Sequence, residues 1–134
     1  MNLTRIITLL ICVVLLGQGI ARGQDKDAVR EKLDTAIVEG IRLLEAKEYA
    51  TFLKNFADPE QLKKVTESGK IDEFAQKFGE GKAKQLILVL KAIKGAAPKM
   101  SEDGKTATFD ISVEGVNKKT IGFTKVGKYW YISN

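Results

Sequence analysis

Apolar residues at Val29, Leu33, Ile37, Ile41 and Leu44 recur every three to four positions over residues 25–46, a spacing that predicts one continuous amphipathic helix. Asp25 and Asp27 stand near its start, where negative charge complements the helix dipole. A second, aromatic stripe follows at Tyr49, Phe52, Leu53 and Phe56, and Ala46-Lys47-Glu48 marks the bend between the two pieces. Asp58-Pro59-Glu60-Gln61 then predicts a fresh start. Asp58 serves as N-cap, Pro59 fills the first helical position where its missing N–H costs nothing, and Gln61 completes a capping box. That helix is expected to end before Gly69. Residues 71–78 read as another short helix with Phe74 and Phe78 on one face, punctuated by Gly79 and Gly81. A last helix carries Ala83, Leu86, Ile87, Leu90 and Ile93 and is closed by Gly95.

After Pro98 the period changes from 3.6 to 2, so helices give way to a sheet. Residues 99–101 begin a short strand, and Glu102-Asp103-Gly104-Lys105 forms a turn with glycine at the position needing positive φ. Over residues 106–113, Ala107, Phe109, Ile111 and Val113 fall on one side, with Thr106, Thr108, Asp110 and Ser112 on the other. Strands at 119–125 and 129–133 follow, with Ile121, Phe123, Trp130 and Ile132 facing inward. Short turns between consecutive strands make a meander. The expected fold class is α+β, with N-terminal helices packed on one face of a C-terminal antiparallel meander of three to four strands.

The first 23 residues fit neither pattern. Arg5 precedes an apolar run from Ile6 to Leu16, and small residues at Gly19, Ala21 and Gly23 lead into a polar segment. This order reads as an export signal, with cleavage after Ala21 or, preferred, after Gly23. A spanning helix would need about 20 mostly apolar residues, and Gln18 interrupts the run. Ile11 stands where a lipidated Cys12 would require a small residue. The expected organisation is therefore a signal peptide at 1–23 and one domain at 24–134, periplasmic or secreted, touching the membrane only during export.

Removing Arg5 and Arg22 lowers the net charge from +5 to +3, and the domain then holds no cysteine and no histidine. Disulfides, thiolate nucleophiles, Ser-His-Asp or Cys-His sites and ordinary zinc sites are thereby excluded. Gly79-Glu80-Gly81-Lys82 is not a phosphate loop, because Gln76 replaces the leading glycine and Ala83 the magnesium-binding hydroxyl. Neither Asp25-Lys26-Asp27 nor Ser101-Glu102-Asp103-Gly104 offers calcium ligand spacing, so no metal and no cofactor are expected. Residues 24–95 hold 14 basic and 13 acidic side chains, and residues 96–134 hold six and four. Charge this dispersed makes no footprint for nucleic acid.

Two kinds of site residue remain. Asp110 is the acid centred in a strand and the candidate catalytic carboxylate, although its companions Thr106, Thr108 and Ser112 mark a solvated face. Tyr129 and Tyr131 flank the inward-facing Trp130, and their phenols on the opposite sheet face are the candidate binding residues.

The stretch Met100-Ser101-Glu102-Asp103-Gly104-Lys105-Thr106-Ala107-Thr108-Phe109-Asp110 and the ending Gly122-Phe123-Thr124-Lys125-Val126-Gly127-Lys128-Tyr129-Trp130-Tyr131-Ile132 resemble small exported bacterial proteins of the cystatin-like and nuclear-transport-factor-like superfamily. The resemblance implies helices packed into a curved sheet around a cone whose interior can hold a small ligand, and some members are enzymes. Its motifs here are structural, and the helical segments between Asp58 and Gly95 depart from the simplest version. Fold likeness does not transfer function. The expected function is an exported, non-enzymatic domain that binds a small molecule or a protein. The alternative is a carboxylate enzyme with Asp110 buried beside an apolar pocket lined by Ile87, Leu90 and Phe109.

Overall fold

The computed structural model describes residues 25–133, and the leader read at residues 1–23 lies outside them. Helices α1 (Asp25–Ala28), α2 (Leu33–Glu45), α3 (Tyr49–Phe56), α4 (Pro59–Glu67), α5 (Ile71–Gly81) and α6 (Ala83–Ile93) precede strands β1 (Lys99–Met100), β2 (Thr106–Asp110), β3 (Thr120–Val126) and β4 (Tyr129–Ser133). The strands form one antiparallel sheet in sequential order, so the α+β arrangement of helices first and meander last is as expected.

The first helix is not continuous. The chain leaves helical geometry after Ala28 and resumes at Leu33, because Arg30 is drawn to the sheet, where its carbonyl accepts the Trp130 N–H at 3.0 Å. The Thr35 hydroxyl reaches back to the Val29 and Lys32 carbonyls, at 2.6 and 3.1 Å, and satisfies backbone acceptors that the break exposes. Val29 is consequently only half-buried. The bend at Ala46-Lys47-Glu48 does form, with an unexpected residue in it. Lys47 takes φ 60°, while the Glu48 N–H donates to Leu43 O at 2.9 Å and the Lys47 N–H to Leu44 O at 3.1 Å. This is the Schellman ending, with lysine where glycine is usual.

Asp58 caps α4 as expected, its Oδ1 accepting the N–H groups of Glu60 and Gln61 at 2.8 and 3.4 Å. Gly79, in contrast, does not break its helix. The chain runs helically through it to Gly81, and a Cβ built at position 79 would fall 2.3 Å from Tyr49 Cε2. The glycine is therefore a packing device that lets α5 approach the Tyr49 ring.

One apolar core joins the two halves. Ile37, Leu43 and Leu44 of α2, Phe52 and Phe56 of α3, and Leu90 and Ile93 of α6 meet Ala107, Phe109, Ile121, Phe123 and Trp130 of the sheet. The rings are ordered: Phe52 stacks on Phe56 and on Phe78 at 5.2 and 5.8 Å, and Phe109 meets Phe123 edge-on at 5.8 Å. Phe74, expected beside Phe78, is exposed. Regular strand β2 stops at Asp110 rather than 113, although Ile111 stays buried and its N–H bonds Lys119 O at 2.8 Å.

Candidate functional site

Register decides which way the C-terminal aromatics face. Trp130 lies opposite Lys125, and Ile132 opposite the core residue Phe123, so both point to the helical side. Tyr131 lies opposite Thr124, and Tyr129 opposite Val126, on the other face. Gly127 at φ 63° makes the two-residue turn that sets this register, with glycine at its first central position.

The two tyrosines are not bare. The Arg30 guanidinium carbon sits 4.4 Å from the Tyr129 ring centre and 5.5 Å from that of Tyr131, while its Nη2 donates to Asn55 O at 2.7 Å. The break between α1 and α2 thus carries an arginine, 7% exposed, across the edge of β4 and onto the outer face. Its planar cation can stack and donate at the same time. Arg30 Nε is buried and has no partner among the described residues. The helical period puts Arg30 on the same side as Leu33, Ile37, Ile41 and Leu44, a charge on an apolar stripe, but the tyrosines that receive it lie far along the chain and have no local signature.

Beside Tyr131 lies a surface groove of about 260 Å³, lined by Lys54, Pro59, Leu62, Lys63, Thr66, Glu67 and Tyr131. Helix α4 forms one wall, with its Leu62 side chain half-buried there, and Tyr131 comes from the edge strand. Lys63 Nζ lies 3.9 Å from Glu67 Oε1, a loose surface pair, and Thr66 Oγ1 donates back to Leu62 O at 2.9 Å. The hydroxyl proton of Thr66 is thus spent inside the helix, which leaves the two lysines as the charged donors of the groove.

Asp110 is placed elsewhere. It stands exposed on the outer face, 3.0 Å from Lys99 Nζ in an ion pair whose side chains are 68% and 77% exposed. Leu90 and Phe109 are packed in the core and Ile87 is partly buried against it, so these three do not converge with Asp110 on a pocket. The structure thus separates Asp110 from the tyrosines and joins Tyr131 to a groove. Among the described residues, no group of three or more acidic, histidine or cysteine side chains is arranged to hold a metal ion, and no helix is long and apolar enough to cross a membrane. Asp103 is an acid with a lowered pKa. The Ser101 hydroxyl at 2.6 Å, then the Lys105 N–H at 3.0 Å, hold its carboxyl below the usual range, and this serves the β1–β2 turn.

No family model, curated protein or solved structure matches the chain.

Proposed function

We propose that the protein is an exported, non-enzymatic binding domain, released by removal of Met1 to Gly23, that engages its ligand through the surface around Tyr131. The observation carrying this reading is that a tyrosine nominated by strand alternation lines a groove together with apolar Pro59 and Leu62 and the charged Lys54, Lys63 and Glu67. Asp110, paired with Lys99 in solvent, stands apart from this groove and, among the described residues, from any apolar pocket that could hold a substrate against it.

A thermal-shift screen of the purified protein against metabolites and cell-envelope fragments tests the reading, since a ligand that binds only the folded state raises Tm. The expected result is at least one compound that stabilises the parent and loses its effect in Leu62→Gln. A screen without hits, or hits indifferent to Leu62, contradicts it.

A further inference from the structure

The groove beside Tyr131 is narrow in what it can hold. At about 260 Å³ it falls below the range of roughly 300–1,000 Å³ typical of pockets for drug-sized ligands, so its occupant is a small molecule. Pro59, Leu62 and the Tyr131 ring offer apolar surface, which favours a hydrocarbon chain or ring over a sugar or bare ion. Lys54 and Lys63 stand at the same groove against a single acid, Glu67, and the Arg30 cation lies 5.5 Å from the Tyr131 ring. The lining of the groove itself is therefore net positive by one charge, two lysines against one glutamate. Anionic groups often bind at helix N-termini, but the start of α4 is closed to them. Pro59 has no N–H, and the Asp58 carboxylate already takes those of Glu60 and Gln61. What remains is a pair of lysine point charges, suited to a single compact negative group rather than to the multiple donors a phosphate would use.

We infer that this groove binds a short amphipathic monocarboxylate, its apolar body on Pro59, Leu62 and Tyr131 and its carboxylate between Lys54 and Lys63; the inference rests on the binding-domain reading above and names the ligand class for that surface. Both lysines sit on exposed helix positions, so replacing them leaves the fold intact and isolates the charge contribution.

The test is a titration of the isotope-labelled purified protein with octanoate, followed by amide NMR. Octyltrimethylammonium and acetate serve as probes of charge and of the apolar body. Octanoate is expected to shift the Leu62, Thr66 and Tyr131 signals saturably, with acetate and the cation much weaker. Lys54→Gln/Lys63→Gln should weaken octanoate by about fivefold, the sum of two exposed charge contacts, while leaving the remaining spectrum unchanged. Equal binding of octanoate and the cation, equal binding by the double variant, or shifts mapping away from α4 and β4 overturn the inference. If octanoate is silent while another compound in the thermal-shift screen depends on Leu62, the ligand class is wrong and the binding-domain reading stands. If octanoate and the entire screen are silent, both fall.

Discussion

Replacing Arg30 by alanine removes the clamp between the N-terminal segment and β4, and the structure sets the magnitude. The charged hydrogen bond to Asn55 O at 2.7 Å contributes about 2 kcal/mol. Stacking over Tyr129 at 4.4 Å in a desolvated site adds about 1–2 kcal/mol, and the more distant Tyr131 contributes less. Against this, the buried and unpartnered Nε costs about 1 kcal/mol, a penalty that alanine relieves. The net expectation is a loss of about 2–3 kcal/mol. The backbone bond from the Trp130 N–H to Arg30 O survives the substitution, so the segment loosens at its side chain and not at its main chain. Trp130 is the single tryptophan, which makes its fluorescence in urea a direct reporter of unfolding beside the clamp. On heating, the same loss lowers Tm by roughly 10 °C for a domain of this size. Arg30→Lys should recover less than half of the stability, since an ammonium cannot lie flat on Tyr129 while reaching Asn55. A loss under about 0.5 kcal/mol for Arg30→Ala, or a more stable variant, would mean that the orphaned Nε offsets both attractive contacts and that Arg30 is no clamp.

Gly79→Ala is expected to destabilise by about 1–2 kcal/mol, because its Cβ meets the Tyr49 ring; in a Tyr49→Ala background the same change should stabilise by up to about 1 kcal/mol, a reversal that denaturation of the four-member cycle detects. Lys47→Gly should gain up to about 1 kcal/mol by relieving a lysine held at φ 60°, measured as a raised urea midpoint. Asp58→Ala should cost about 1 kcal/mol in the same assay through loss of the α4 cap. The β1–β2 turn has a signed pH dependence. Because hydrogen bonds lower the folded-state pKa of Asp103, its contribution is complete above the ordinary carboxylate pKa and is lost as pH falls through the lowered one; the Lys105 amide shift should hold steady at pH 5 and move only below about pH 4.

What the sequence made legible is local chemistry. Asp58 and Pro59 announce a helix start because cap and first turn lie within four residues, and alternation places Phe109, Phe123 and Trp130 inward because the strand period is two. What it concealed is set by partners far along the chain. Gly79 looks like a helix break until the Tyr49 ring is placed against it, and Arg30 is a charge on the apolar side of the first helix with no visible partner until Tyr129 and Tyr131 fold beneath its guanidinium. The interruption of the first helix follows from that second contact, since a continuous 3.6-residue period cannot deliver the Arg30 carbonyl to the Trp130 N–H. The candidate site divides in the same way. Strand alternation put Tyr131 on the outer face, whereas the Leu62 and Lys54 beside it come from helices whose docking at the β4 edge has no short-range signature. Asp110 was visible as a strand acid; its pairing with Lys99 follows from the β1–β2 register.

The groove beside Tyr131 is the proposed working surface of an exported binding domain. The most direct measurement is a structure or amide-shift map of the purified protein with a compound that raises its Tm. The expected result is a ligand seated on Leu62 and Tyr131 with Lys54 and Lys63 at its charged end. A ligand seated on the opposite side of the molecule, or lodged among Ile87, Leu90 and Phe109 beside a buried acid, would contradict it.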